Sequence, residues 1–343
     1  MKSSTCCLAL LFLATLPSRV DARMPTFNWD TVPVFNHMGN ESGPFNDAAV
    51  RILSRFPLVT FEKSQGIRES SCCAEDKIIA AAKQIKAVNS SVHTIFYLNS
   101  VIDFNQYHLH EEFSQRPNLY LRNSSGNIVE IPIGNSTPHY NVFDFSQEEA
   151  RQLWSAVCIS AYKTGYIDGC FADRAGEKNF RDNKLTLEKE AAYRSGHDKV
   201  LQDLQKALGD NVLIANNYLL SDVGATMIEA FRSNEESIEL LQKAVMQKKL
   251  VEVHAGYYDS CENITDTLAA FLIGAGEYSY YACSAAWSVN ADWLVWHPEY
   301  DKPLGKPLGL AVKEGEVYTR RFASGTTASF DISTNKGDIR WAK

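Results

Sequence analysis

Eight short runs rich in apolar and β-branched residues recur along the chain, and longer stretches of helical periodicity separate most of them. The runs are VPVFNHMG (32–39), LVTFEK (58–63), HTIFYLN (93–99), YIDGCFAD (166–173), VLIANNY (212–218), GATMIEAF (224–231), LVEVHAGY (250–257) and EYSYYACS (277–284). Strands that alternate with helices and are apolar on both faces indicate a parallel sheet with helices outside it. Helices are expected over 74–88, 146–165, 196–210, 233–249 and 264–276. Ser146 and Ser233, each followed three residues on by a glutamate, are expected to cap helix starts, and Gly165 and Gly209 to mark helix ends.

Eight such units fit the size of a (β/α)8 TIM barrel, an α/β fold of about 250 residues, with an open doubly wound sheet as the competitor. Two features favour the barrel. No Gly-x-Gly-x-x-Gly follows the first run, and polar residues gather at the C-terminal ends of nearly all eight runs rather than at one switch point. The segment 118–133, in the long connection after the third run, reads as a hairpin around SSGN. Residues 313–332 alternate with glycine turns and read as a small β appendage. The expected organisation is a leader at 1–22, a barrel at 23–298 and a C-terminal β extension packed on it at 299–343.

The leader reading rests on Lys2, the apolar run CCLALLFLATL and the small-residue pattern VDA before Arg23. That run is shorter than the roughly 18 to 20 apolar residues of a membrane span, and no later stretch reaches that length, so a secreted protein is expected. A net charge of −7 over 343 residues provides no basic field for nucleic acid, and a neutral substrate fits better. Cys6 and Cys7 leave with the leader, and Cys72, Cys73, Cys158, Cys170, Cys261 and Cys283 remain. An even count in an oxidising compartment favours disulfides over zinc, and six cysteines allow 15 pairings. Five sequons, at Asn40, Asn89, Asn123, Asn135 and Asn263, are open to glycosylation on that route, Asn135 least so because Pro138 follows.

Active sites of TIM barrels lie at the C-terminal strand ends. There the sequence places Asn36, His37, Glu62, Asn99, Asp173, Arg174, Asn216, Asn217, Tyr218, Glu229, His254, Tyr257, Tyr258 and Ser284. Carboxylates and amides suit sugar hydroxyls, and aromatic rings suit the apolar faces of sugars. Trp287, Trp293 and Trp296 could line a subsite or pack the appendage on the barrel. Glycoside hydrolysis uses two carboxyl groups across the scissile bond, and Asp173 and Glu229 are the expected pair, as nucleophile or base and as acid. The structural alternatives are an Asp173 salt bridge to Arg174 or a helix cap, and a structural hydrogen bond for Glu229. Asp168 has the opposite parity to Asp173 and is expected to play a supporting part, at the substrate or between strands. Glu252 reads as an interior glutamate of structural use. No metal or cofactor is expected: HLH at 108–110 is the nearest metal pattern and lies in the long third connection.

The stretch YIDGCFADRAG resembles the fourth-strand motif of the glycoside hydrolase-like TIM-barrel proteins found across bacteria and eukaryotes. NVFDFSQEEARQLW (141–154), HPEYDKPLGKPLG (297–309) and YTRRFASG (318–325) are similar to further segments of that group, and together the resemblance spans most of residues 30–341. It implies a TIM barrel with a carbohydrate-active site and matches Asp173 to the strand-four aspartate. Glu229 follows less directly, because families of the group differ in where the second carboxylate lies. A carbohydrate-binding protein on the same barrel is the alternative, and a different barrel hydrolase or lyase a third.

Overall fold

The computed structural model describes residues 24–70, 72–133, 136–177, 185–258, 260–291 and 294–343. The expected leader, Asn135 and Trp293 lie outside the described residues.

Each of the eight apolar runs contains a strand. They are β1 (Asn36–Met38), β2 (Leu58–Phe61), β3 (His93–Asn99), β4 (Gly169–Asp173), β5 (Val212–Asn216), β6 (Ala225–Ile228), β7 (Leu250–Ala255) and β8 (Ser279–Cys283). They lie side by side in chain order, and every neighbouring pair is parallel. The sheet closes on itself ahead of β1. There Phe35 N donates to Tyr281 O at 3.2 Å and Tyr281 N donates to Pro33 O at 2.9 Å. Closure leaves no strand edge unpaired and gives the (β/α)8 barrel the strand pattern indicated.

Among the described residues seven α-helices accompany the strands: α1 (Asp47–Leu53), α2 (Ala74–Val88), α3 (His108–Ser114), α4 (Glu148–Lys163), α5 (Leu187–Leu208), α6 (Glu235–Met246) and α7 (Thr265–Gly274). Residues 217–224, between β5 and β6, form a connection without a helix. The expected serine caps give way to neighbours. Ser146 Oγ donates to Asp144 Oδ1 at 2.6 Å, and Gln147 precedes α4 without a side-chain cap. Asn234 rather than Ser233 caps α6, its Oδ1 accepting from Ser237 N at 2.9 Å. Gly165 and Gly209 end α4 and α5 with φ of 79° and 63°, a region that favours glycine.

In the third connection, Arg122 bridges Ile128 around the turn at SSGN, and Asn123 N donates to Asn127 O at 2.9 Å. The regular ladder lies beyond that turn, between Glu130–Ile133 and Ser136–Asn141. The appendage is an antiparallel meander of β9 (Val312–Glu314), β10 (Val317–Arg321), β11 (Thr327–Asp331) and β12 (Lys336–Arg340). It covers α7, which is buried from Thr267 to Gly274. Arg320 Nη1 donates to Leu272 O at 2.9 Å and Ala275 O at 2.6 Å, satisfying carbonyls that the end of α7 leaves without partners.

Three disulfides resolve the pairing: Cys72–Cys73, Cys158–Cys170 and Cys261–Cys283. The second ties α4 to β4, and the third ties the connection after β7 to the end of β8. No helix among the described residues is long and apolar enough to cross a membrane.

Candidate active site

Side chains alternate across a strand, so the parallel register fixes which residues meet inside the barrel mouth. Asn99 pairs directly with Asp173, and Ala172 with Ala215, which brings Asn216 level with Asp173. Asp173 is the last residue of β4, and both its oxygens are filled by donors. Oδ2 accepts from the Tyr97 hydroxyl and from Asn99 Nδ2 at 2.9 Å. Oδ1 accepts from Asn216 Nδ2 at 2.9 Å and Arg174 N at 2.8 Å. All four partners are donors, so the two oxygens are held in one orientation. Burial and the nearby Asp173 charge push the Tyr97 phenol well above its ordinary range, so its proton stays in place to be donated.

Glu229 lies one residue past β6. Its Oε2 accepts from Asn216 Nδ2 at 2.7 Å and Asn217 Nδ2 at 3.3 Å, and its Oε1 from the Tyr257 hydroxyl at 2.9 Å. One atom, Asn216 Nδ2, therefore touches both carboxylates. Two residues beside them stand in the left-handed region, Arg174 at φ 58° and Asn217 at φ 52°. Such conformations cost energy outside glycine and persist where the surroundings enforce them. Gly176 supplies part of that enforcement: its N donates to Asn216 O at 3.1 Å, and a Cβ there would stand 2.5 Å from Asn217 O. Gly176→Ala is expected to push the 216–217 turn outward, costing about 1–3 kcal/mol of stability and lowering kcat more than it raises KM. Denaturant unfolding and steady-state kinetics check this, and an unchanged kcat would uncouple the two turns.

The opposite wall is aromatic and contains two histidines. His254 is buried, and burial lowers its pKa to about 4, leaving it neutral. The Glu229 carbonyl can only accept, so His254 Nδ1 carries the proton at 2.9 Å, and Nε2 accepts from Ser284 Oγ at 3.0 Å. The Trp287 ring lies 4.0 Å from that of His254 and 4.6 Å from that of His37, and its Nε1 donates to the Tyr257 hydroxyl at 2.8 Å. Glu62 lies 3.3 Å from His37 Nε2 and 2.9 Å from Lys63 Nζ. Burial alone would raise the Glu62 carboxyl, but Lys63 and His37 outweigh it and hold it at about 2. Burial likewise opposes the Lys63 charge, while Glu62, Asp173 and Glu229 sustain it. The Lys63 ammonium thus acts electrostatically on both central carboxylates.

Of the expected contacts, His37, Glu62, Asn99, Asp173, Asn216, Asn217, Glu229, His254, Tyr257 and Trp287 come together. Three of the other four go elsewhere. Asp168 precedes β4, at the other end of the strand from Asp173; it accepts from Thr94 N at 2.9 Å and pairs with Lys86 at 2.6 Å. Tyr218 turns its hydroxyl to Asp198 at 2.9 Å. Asn36, next to His37 on β1, has the opposite parity and lines a cavity shared with His37, His254, Ser284 and Trp287. Arg174 contributes its backbone N–H to Asp173 while its side chain pairs with Glu177 at 2.6 Å. Trp296 also lies apart, stacked under Arg55 at 3.5 Å. Sequence reasoning missed Tyr97 and Lys63. Tyr97 shares parity with Asn99, and Lys63 directly follows Glu62, so both signals were present. Among the described residues, Cys72, Cys73 and His108 bring three potential metal donors together, but the two sulfurs are joined to each other.

A family model described as hypothetical glycosyl hydrolase family 15 matches residues 86–326, well over half of the chain. A search of curated protein sequences returns no match. Among solved structures, the chain is similar to the glycoside hydrolase domain of PelA from Pseudomonas aeruginosa, at 13% identity and a TM-score of 0.47 over 75% of this chain and 98% of that one. It is similar to an α-galactosidase from Thermus thermophilus in complex with p-nitrophenyl α-D-galactopyranoside, at 13% identity and a TM-score of 0.51 over 91% and 68% of the two chains. It also resembles a cycloalternan-degrading enzyme from Trueperella pyogenes, at 13% identity and a TM-score of 0.50, where it covers 75% of itself and 44% of that chain. At such identities the likeness to the latter two speaks for the barrel alone, and the assignment rests on the family match, whose span includes both Asp173 and Glu229. The chain belongs to hypothetical glycosyl hydrolase family 15 and is an enzyme of the glycoside hydrolase class.

Proposed function

We propose that the protein is a secreted glycoside hydrolase that cleaves a glycosidic bond in an oligo- or polysaccharide with retention of configuration, using Asp173 as nucleophile and Glu229 as acid and base. The barrel of residues 23–298 is the catalytic unit, and 299–343 supports it. The observation that carries the reading is the shared amide: Asn216 Nδ2 lies 2.9 Å from Asp173 Oδ1 and 2.7 Å from Glu229 Oε2, so these oxygens are separated by no more than the sum of the two. Retaining glycosidases hold their carboxyl groups about 5–5.5 Å apart, whereas inverting ones leave about 6.5–9.5 Å for a water molecule.

In the first step the Asp173 carboxylate attacks the anomeric carbon, the glycosidic C–O bond breaks, and Glu229 gives its proton to the departing oxygen. In the second step Glu229 takes a proton from water, the resulting oxygen attacks the anomeric carbon, and the bond to Asp173 breaks. Tyr97, Asn99, Asn216 and the Arg174 N–H orient the nucleophile. Lys63 and the neutral His254 shape the charge around it, and Trp287 offers a ring face to the sugar. No cofactor takes part.

The test is a screen of the purified protein against glycans and aryl glycosides, including p-nitrophenyl α-D-galactopyranoside, followed by proton NMR of the first sugar released. Initial release of the anomer present in the substrate is expected; initial release of the opposite one would overturn the nucleophile role of Asp173. Glycan binding without turnover by the wild type would identify a carbohydrate-binding protein instead. Secretion is supported by the charged and apolar pattern of residues 1–22, and glycosylation by the exposed Asn263 and the half-buried Asn40, Asn89 and Asn123.

A further inference from the structure

The rim of the site carries a pair of residues that bond cleavage does not use. Tyr258 follows Tyr257 after β7, and Arg232 stands three residues beyond Glu229 after β6. Tyr258 is 63% exposed, a large aromatic surface left in water at the edge of a cleft. The Arg232 guanidinium lies over it, with Cζ 3.6 Å from the ring centre. Among the described residues no carboxylate pairs with that guanidinium; its backbone N–H donates to Ser237 Oγ at 3.1 Å. An exposed cation–π pair contributes only about 0.5–1 kcal/mol to folding, which gives little structural reason for a bare cation and a bare ring here.

Position supplies another reason, which rests on the functional reading above. The acid protonates the departing oxygen, so residues flanking the acid border the departing sugar. Tyr257 donates to Glu229 Oε1, and Tyr258 is its neighbour on the outward side; Arg232 leaves the same strand end as Glu229. We infer that Tyr258 and Arg232 form the leaving-group subsite, which takes a second sugar ring. The ring packs on the open face of Tyr258, and the in-plane N–H groups of Arg232 donate to its hydroxyls or to a sugar carboxylate. Stacking on Tyr258 holds the guanidinium in one plane before substrate arrives, so less freedom is lost on binding. The substrate accordingly has at least two sugar units.

The test uses the full chain carrying Glu229→Gln, which preserves the cleft and stops turnover, against an immobilised panel of neutral, amino and uronic-acid oligosaccharides and their monosaccharides. Adding Tyr258→Ala or Arg232→Ala is expected to weaken oligosaccharide binding about tenfold each and to leave monosaccharide binding unchanged, while Tyr258→Phe retains it. A loss on adding Arg232→Ala confined to uronic-acid chains assigns a carboxylate to the guanidinium, and an equal loss on neutral chains assigns hydroxyls; both support the subsite. Oligosaccharide binding equal to that of the Glu229→Gln parent in both alanine variants overturns it while leaving the functional reading intact. If the parent binds no glycan and the wild type cleaves none, the functional reading fails and the subsite falls with it.

Discussion

Asp173→Asn is expected to lower kcat/KM by about 10⁴-fold for every substrate, because under the proposed mechanism it removes the atom that would form the covalent intermediate. Glu229→Gln behaves differently. A leaving group such as p-nitrophenolate departs without a proton, so the loss of the acid matters less in the first step for that substrate than for an unactivated sugar, where about 10²–10⁴-fold is expected. Comparing kcat/KM of both variants on an activated and an unactivated substrate separates the roles. Equal losses on both substrates by both variants would count against the assignment. Asp173→Asn also carries a structural cost. Two oxygens serve four donors, and an asparagine offers one oxygen, so one pair of donors loses its acceptor at about 1–3 kcal/mol. That is far smaller than the loss of rate, so a folded but inactive variant is the expected product.

The second large effect lies deeper in the barrel. Glu252, on β7 two residues before His254, is fully buried, and among the described residues neither carboxyl oxygen has a hydrogen-bond partner. Burial alone raises its pKa well above the ordinary value of 4.5. The folded state therefore keeps a proton that the unfolded chain releases near pH 4.5, and stability is lost as pH rises from there toward the folded pKa. The slope from this one group is about 1.4 kcal/mol per pH unit. Glu252→Gln keeps a neutral side chain of the same shape in both states and removes that slope. The variant should match the wild type below pH 4 and exceed it by a growing margin toward neutrality, read from denaturant unfolding at several pH values. A margin that does not change with pH would show that the wild-type carboxyl is not held neutral.

Much of the barrel was legible because its strands are buried on both faces and so read as short apolar runs between turn residues. The helices α1 and α3 were not, since seven residues give only two turns and too little periodicity to register. The missing helix after β5 was legible, because only residues 219–223 separate the fifth and sixth runs, too few for a crossover helix. At the site, the rule that polar residues at C-terminal strand ends face the substrate found Asn99, Asp173, Asn216 and Glu229. Asp168 lay outside that rule, and of its two expected roles the bond between strands is the one found, to Thr94 N at 2.9 Å. Tyr97 escaped notice because inside an apolar strand a tyrosine reads as core, and its hydroxyl matters only once Asp173 is placed across the ladder. Tyr218 went the other way: a polar aromatic at a strand end was claimed by Asp198 on α5, a partner distant enough in the fold to be invisible in the sequence.

The cover that the C-terminal meander places over α7 has a practical consequence. That helix is greasy all the way round, with the barrel beneath it and the meander above. Gly337 sits so close that a Cβ would stand 2.5 Å from Ala269 Cβ, and Arg320 clasps the final carbonyls. A version trimmed back to the barrel would bare an oily stripe beside two stranded carbonyls, an invitation to clump. The last forty-odd residues are thus less an ornament on the enzyme than the lid that lets the barrel exist in water.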